Sequence, residues 1–154
     1  DVDHCGERGM KILIQNGRLI DPASGRDERA DVAIATGRIL TIGSINQVRP
    51  EPVLAVYAAL KSAQHNLSIN LARQLASFGI TVNNLSPGLI ATERNRWRRE
   101  DMAEWEEIGR RICPMGRAGT PEEMANAALL LCSDAGSYIT GADLYATGGG
   151  HLAG

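Results

Sequence analysis

The chain has 154 residues, 44% of them hydrophobic, and a formal net charge of -2. This length suits one domain, and a charge so close to neutral gives no electrostatic basis for binding nucleic acid or an acidic membrane surface. The three cysteines have no metal-ligand spacing, and no apolar run is long enough to span a membrane, so the composition favours a cytoplasmic protein with reduced thiols.

The amino-terminal part is predicted to be β-rich behind a short disordered leader. Residues 1–9 are polar and without hydrophobic period, which is typical of a disordered terminus. Within residues 10–36, the dipeptide Asn16-Gly17 predicts a turn between two short apolar runs, and residues 21–25 predict a second turn. Residues 31–35 alternate between apolar and polar positions, as a half-buried strand does.

Residues 10–43 resemble the amino-terminal strands of dihydroorotase-type amidohydrolases. The resemblance rests on two motifs, Lys-Ile-Leu-Ile-Gln-Asn-Gly-Arg from Lys11 and Asp-Pro-Ala-Ser-Gly from Asp21. In that family these strands begin a small β-sandwich beside a metal-binding barrel. Metal-dependent hydrolysis needs a His-x-His pair directly after them, whereas the three histidines here, at positions 4, 65 and 151, are widely scattered. We therefore predict no metal site.

The next stretch combines three residues that suit acid–base chemistry. A strand is predicted at Ile39–Ser44, and a helix from Val53 to Phe78. Tyr57 and Lys61 are four residues apart, so they share one face of that helix. An ammonium group one turn away stabilises the phenolate and makes the phenol a better proton donor. Ser44 can reach the same point and orient a carbonyl group.

A Tyr-x-x-x-Lys pattern by itself is weak evidence, and two interpretations stay open. Tyr57 and Lys61 are either catalytic or a half-exposed aromatic residue beside a solvated cation. The order of the surrounding elements favours catalysis, because a second strand follows at Ile80–Leu85 and then a Ser-Pro-Gly-Leu-Ile-Ala-Thr loop at residues 86–92. With these elements in this order, residues 37–152 resemble the short-chain dehydrogenases/reductases.

This resemblance implies an oxidoreductase that transfers hydride between NAD or NADP and a small carbonyl or alcohol substrate. The catalytic residues that it implies are Ser44, Tyr57 and Lys61. The cofactor-binding residues that it implies are Tyr57, Lys61, Pro87, Gly88, Ile90 and Thr92. The sequence contains no Gly-x-x-x-Gly-x-Gly turn between a strand and a helix to receive the cofactor pyrophosphate. Cofactor binding is therefore predicted to be weak or absent.

Two functional alternatives follow from these resemblances. In the first, the chain is a remnant of an NAD(P)-dependent short-chain oxidoreductase that lacks the Gly-rich cofactor-binding half. In the second, it is a catalytically silent, self-associating chimera, with the two resemblances joined inside Gly37–Gly43. The sequence does not identify a substrate in either case.

Three further elements are predicted after the loop. A basic run at 94–99 is expected to be solvated. An amphipathic helix follows, which corresponds in the family to the lid over the substrate, and its apolar stripe is Met102, Trp105, Ile108 and Ile112. A helix begins at Thr120-Pro121, with a capping residue followed by proline. The last strand is predicted at Asp143–Ala146.

The predicted fold is α/β: a partial Rossmann-like parallel sheet of three core strands with crossover helices, preceded by the β-rich segment. The predicted domains are a leader at 1–9, the amidohydrolase-like segment at 10–36 and the reductase-like half at 37–154. The long helix carries an apolar stripe of Val56, Leu60, Ala63, Leu67, Leu71 and Leu75, with His65 off the stripe and solvated. One small sheet cannot cover this stripe, so we predict a homodimer or homotetramer.

Overall fold

The computed structural model describes residues 12–21, 26–34 and 37–152. It contains an antiparallel pair of strands and a separate three-stranded parallel sheet. The pair is β1 (Ile12–Asp21) with β2 (Arg26–Ile34), and the parallel sheet is β3 (Arg38–Ile42), β4 (Thr81–Pro87) and β5 (Asp143–Ala146), with β4 in the centre. The helices are α1 (Ala55–Leu75), α2 (Met102–Ile112) and α3 (Pro121–Cys132). The predicted α/β, partial Rossmann-like architecture is confirmed.

The turn predicted at Asn16-Gly17 is wrong. β1 runs through this dipeptide and pairs with β2 on both sides of it, from Ile12 to Asp21. The register shifts between Ile14 and Gly17, so β1 has one residue more than β2 at this point. An extra residue of this kind is a β-bulge, which the strand accommodates without reversing direction. The leader at 1–9 and most of the second predicted turn lie outside the described residues.

The strands of the parallel sheet differ in length from those predicted. β3 ends at Ile42, two residues before Ser44, because the chain turns there into a short 3-10 helix at Ile45–Gln47. β4 continues beyond Leu85 to Pro87, because its last two residues still pair with β5. β5 has the predicted bounds. Because β3 and β4 are parallel, their carboxyl ends lie at one edge of the sheet.

The core of the parallel sheet is aliphatic and packs against α1. Ala72 of α1 lies against Ile80 and Val82, with Ile39, Leu71 and Leu75 at the margin of the cluster. Val82 and Leu85 point to opposite faces of β4, since side chains alternate along a strand. They are 0% and 1% exposed, so both faces of the central strand are covered.

Helix α1 is slightly shorter than the helix predicted from Val53 to Phe78. Single 3-10 turns at Pro52–Leu54 and Ala76–Phe78 flank it, and Gly79 ends the segment in the left-handed conformation at φ 73°. The predicted apolar stripe meets the core only at its carboxyl-terminal end. Val56, Leu60 and Leu67 are 76%, 66% and 58% exposed, and the fully buried positions are instead Ala58, Ser68 and Ala72.

The two shorter helices begin with side-chain caps. The Asp101 carboxylate accepts hydrogen bonds from the amides of Ala103 and Glu104 at the start of α2. Thr120 caps the start of α3, as the sequence predicted, and together with Glu123 it forms a capping box. In the predicted stripe of α2, Trp105 is buried, whereas Met102 and Ile112 are exposed.

No helix in the part of the chain that the structure describes is both long enough and apolar enough to cross a membrane.

Candidate active site

The sequence-predicted site residues line one groove at the carboxyl edge of the parallel sheet. The groove has a volume of about 490 Å3, within the usual range for small-molecule pockets. It forms where β3 and β4 end and α1 begins, which is where parallel α/β sheets bind ligands. We call it the Ser44 groove, and its predicted residues are Ser44, Tyr57, Lys61, Pro87, Gly88, Ile90 and Thr92.

Ser44 is a helix-capping residue as well as a groove residue. It is 6% exposed, and its Oγ accepts a hydrogen bond from the Asn46 amide at 3.2 Å. The Gln47 side chain reaches back to the Ser44 amide, which completes a capping box. A serine hydroxyl has one proton and two lone pairs. The cap uses one lone pair, so the proton can still be donated to a ligand in the groove.

Tyr57 and Lys61 lie on one face of α1, as their spacing predicted. Lys61 Nζ is 5.8 Å from the centroid of the Tyr57 ring. The ammonium donates to the Ile42 carbonyl oxygen at 2.6 Å and to Gln64 Oε1 at 3.2 Å. Lys61 is therefore attached to the end of β3 rather than free in solvent. Tyr57 is 36% exposed, so a ligand in the groove can reach it.

The loop from Pro87 to Thr92 is held by its own hydrogen bonds. The Thr92 amide donates to Ile90 O and Asn95 Oδ1, both at 2.9 Å, and Asn95 Nδ2 donates to Ile90 O at 2.6 Å. Gly88 packs against the residue that follows β5, because a Cβ there would lie 2.8 Å from Thr147 Cα. These contacts hold in place the loop that lines this part of the groove.

Several polar residues behind the groove were missed by the sequence analysis. The Asp143 carboxylate bonds to Gln47, and His65 Nδ1 lies 3.6 Å from Asp143 Oδ2, so the prediction that His65 is simply solvated is wrong. The Ser-x-x-Gln spacing of a capping box could have indicated Gln47. Burial raises the pKa of the nearby Tyr145 phenol, and its hydrogen bond to Asp143 acts in the same direction, while Gln47 opposes it.

Comparison with known proteins assigns the chain to a family. The family model for enoyl-(acyl carrier protein) reductase matches residues 27–151. The chain belongs to this family of short-chain dehydrogenases/reductases. The match begins at residue 27, inside the segment predicted to be amidohydrolase-like, and the comparisons give no support for that prediction.

Two curated relatives of this short-chain dehydrogenase/reductase align with it over about half of their own length. Galactitol 2-dehydrogenase (L-tagatose-forming) of Cereibacter sphaeroides is 44% identical over 124 residues, which is 79% of this chain and 48% of the relative. A 3-oxoacyl-[acyl-carrier-protein] reductase of Salmonella typhimurium is 40% identical over 124 residues, covering 80% and 50%. The chain therefore spans about half the length of the curated relatives it matches.

Solved structures of family members superpose on the same part of the chain. The 3-oxoacyl (acyl-carrier-protein) reductase of Agrobacterium tumefaciens C58, solved with NADP bound, is 50% identical with a TM-score of 0.69. The alignment covers 72% of this chain and 43% of that one. YwfH, an NADPH-dependent reductase involved in bacilysin biosynthesis, is 36% identical with a TM-score of 0.68, covering 73% and 46%.

The donor groups of the Ser44 groove fit one end of a nicotinamide dinucleotide. Ser44, Tyr57 and Lys61 present hydroxyl and ammonium donors suited to a ribose and to a reacting oxygen. Lys61 is the one charged side chain among the described residues that line the groove. A dinucleotide also carries a pyrophosphate, which proteins usually hold at a helix N-terminus. Among its described residues, the groove thus provides donors for the nicotinamide and its ribose and one positive charge for the phosphates.

Proposed function

We propose that this chain carries the reactive half of a short-chain oxidoreductase site, which interconverts a small carbonyl compound and its alcohol. The observation that carries the proposal is the convergence of Ser44, Tyr57 and Lys61 on one groove. The family assignment supports the reaction class. The relatives named above are a galactitol dehydrogenase and a 3-oxoacyl-[acyl-carrier-protein] reductase, so the substrate within that class stays open.

The three side chains have distinct roles in the proposed reduction. The Tyr57 hydroxyl donates its proton to the substrate oxygen as negative charge develops there. The Lys61 ammonium, fixed by its bond to the Ile42 carbonyl, stabilises the phenolate that this transfer leaves. The Ser44 hydroxyl donates a hydrogen bond to the same substrate oxygen. A bound nicotinamide would supply the hydride that adds to the carbonyl carbon.

The direct test compares Tyr57→Phe with the unaltered chain. Both are supplied with millimolar NADPH or NADH and a panel of ketones and aldehydes, and cofactor oxidation is followed by absorbance. We expect slow carbonyl reduction by the unaltered chain and a loss of roughly a hundredfold or more in Tyr57→Phe, since a positioned general acid contributes about that much. Tyr138→Phe is the matched control, because Tyr138 is fully exposed and lies outside the groove.

The cofactor of this site is proposed to be NAD or NADP, bound weakly. The groove provides only Lys61 as a positive charge among its described residues. The sequence has no Gly-rich turn for the pyrophosphate. Most of the usual binding free energy of a dinucleotide is therefore expected to be missing.

The alternative is a catalytically silent chimera of an amidohydrolase-like segment at 10–36 and a reductase-like half at 37–154. The motifs at Lys11 and Asp21 favour this alternative. Absence of turnover by the unaltered chain, with Tyr57→Phe indistinguishable from it, would support the silent chimera and contradict the proposed activity.

Self-association is proposed under either alternative, as a homodimer or homotetramer. Val56, Leu60 and Leu67 form an exposed apolar stripe on α1, and Ala59 and Ala63 beside them are small enough for a second helix to approach closely. Exposed apolar patches of this kind usually mark contact surfaces. A cytoplasmic location remains a prediction from the composition.

A further inference from the structure

A largely buried cluster of polar side chains lies behind the Ser44 groove, and the proposed reaction does not use it. Its centre is the Asp143 carboxylate on β5, whose side chain is 10% exposed. Asp143 Oδ1 accepts hydrogen bonds from Asn84 Nδ2 at 2.8 Å and Ser86 Oγ at 2.7 Å. Asp143 Oδ2 accepts from Gln47 Nε2. We call these residues the Asp143 network: Asp143, Asn84, Ser86 and Gln47.

The hydrogen bonds that link the Ser44 backbone to Asp143 are both donated towards the Asp143 carboxylate. An ionised carboxylate accepts hydrogen bonds and donates none. Gln47 must therefore turn its Nε2 towards Asp143, which leaves Oε1 to accept from the Ser44 amide at 3.4 Å. Ser44 Oγ accepts in turn from the Asn46 amide. The charge on Asp143 thus determines the orientation of an amide that lies 96 residues away in sequence.

The network also packs directly on the residue before Ser44. A Cβ on Gly43 would lie 2.7 Å from Gln47 Oε1 and 2.7 Å from Ser86 Oγ, closer than real Cβ atoms approach such groups. The Gly43 amide meanwhile donates to Leu85 O at 2.7 Å and holds the segment against β4. A side chain at position 43 would therefore displace members of the network, which shows how closely Gly43 is packed between β4 and the network.

We propose that Asp143 and Gln47 are positioning residues for Ser44. The Asp143 carboxylate fixes the Gln47 amide, and Gln47 fixes the Ser44 main chain so that its hydroxyl lines the groove. The catalytic meaning of this positioning rests on the proposed function. The hold on the Ser44 backbone does not, because it is a property of the folded chain alone.

One test needs no turnover: it exchanges the donor and the acceptor of the hydrogen bond between Gln47 and Asp143. In Asp143→Asn, the remaining carbonyl oxygen is expected to stay on the Oδ1 side, where Asn84 and Ser86 both donate. The new NH2 group then faces Gln47 Nε2, so Gln47 must rotate and lose its bond to the Ser44 amide. Gln47→Glu alone sets two carboxylates against each other. In the double variant, the new amide on β5 can donate to the new carboxylate at position 47, which still accepts from the Ser44 amide.

The measurement is amide hydrogen exchange of Ser44 by NMR. We expect exchange to be roughly tenfold faster in each single variant, the effect of losing one hydrogen bond to a buried group, and to return close to the original rate in the double variant. Asp134→Asn is the matched control. Asp134 is an exposed carboxylate paired with Arg38 at 2.5 Å, away from the groove, so Ser44 exchange should be unchanged.

Unchanged Ser44 exchange in a folded Asp143→Asn chain would overturn the proposal, and so would a double variant that folds without restoring protection. If Asp143→Asn does not fold, Gln47→Met decides the question, because methionine fills the space without bonding to either partner. Faster exchange confined to the Ser44 segment supports positioning, and uniformly faster exchange that includes Val82 contradicts it. The two proposals can fail separately. If the unaltered chain shows no carbonyl turnover while the Ser44 amide is protected from exchange, the proposed activity is contradicted and the positioning of Ser44 is not.

Discussion

Ser44 Oγ accepts a hydrogen bond from the Asn46 amide, and Ser44 is also one of the residues that line the groove. The capping role of Ser44 and its proposed catalytic role can be separated by substitution. Ser44→Ala removes both, and should lower the free energy of unfolding by about 1 kcal/mol through the lost cap. Ser44→Asn keeps a capping acceptor and should stay close to the original stability while carbonyl reduction is lost. Urea denaturation of the two variants, measured beside turnover, checks this. Equal stability of the two variants would contradict the capping role.

The residues of the groove were largely predictable because their signals are local. The four-residue spacing of Tyr57 and Lys61 places them on one helical face in any α-helix. The contact of Gln47 with Asp143 was not predictable, since it depends on the register of β5 against β4 and joins residues 96 positions apart. His65 was misjudged for the same reason: its partner Asp143 comes from that distant strand.

At the level of elements, the start of α3 makes stability depend on pH. Hydrogen bonds from Arg117 and from the Thr120 amide lower the pKa of Glu123 from its usual 4.5 to about 2. Because the folded pKa lies below the unfolded one, Glu123 adds stability above about pH 4.5, and this stability is lost as the pH falls towards 2. Glu123→Gln should therefore melt below the unaltered chain at pH 7, and the two should converge near pH 2.

Thermal unfolding across this pH range checks the Glu123 prediction. Glu107→Gln is the control, because Glu107 pairs with Arg110 on the exposed surface of α2 and takes no part in a cap. It should change the melting temperature less at every pH, since exposed ion pairs contribute little. If the difference in melting temperature between Glu123→Gln and the unaltered chain is as large at pH 2 as at pH 7, ionisation of Glu123 is not the cause of that difference.

The exposed stripe of α1 makes self-association testable. Leu60→Glu or Leu67→Glu puts a charge into the proposed helix–helix contact, and should shift the chain to a monomer, because an unpaired charge is costly in an apolar interface. Sedimentation velocity at micromolar concentration is the measurement. Leu129→Glu on α3 is the control, with an exposure of 65% against 66% for Leu60. A well-folded monomer from the unaltered sequence would refute the proposed oligomer.

The ends of the helices and strands show which boundaries the local sequence pattern could predict and which it could not. Gly79 marked the end of the long helical segment correctly, because glycine adopts the left-handed conformation found there. The Asn16-Gly17 dipeptide has the same turn chemistry, yet pairing with β2 on both sides keeps it within one bulged strand. β4 was predicted too short because Ser86 and Pro87 are poor strand residues, and their pairing with β5 was not visible in the sequence.

At the level of the whole molecule, the order of strands and helices was enough to predict a partial Rossmann-like parallel sheet of three core strands. The chain spans about half of its curated relatives, and the groove presents Lys61 as its one charged side chain among the described residues. The central claim is that this groove holds the nicotinamide end of a cofactor and gains nothing from the phosphates and adenosine beyond it.

Calorimetric titration with NADPH and, separately, with reduced nicotinamide mononucleotide tests this claim most directly. If only the nicotinamide end is bound, the two ligands should bind within a few-fold of each other, both near millimolar, or about 4 kcal/mol. Lys61→Ala should weaken both equally. A micromolar dissociation constant for NADPH, about 8 kcal/mol, together with far weaker binding of the mononucleotide, would contradict the account by showing that the chain holds the phosphate end as well.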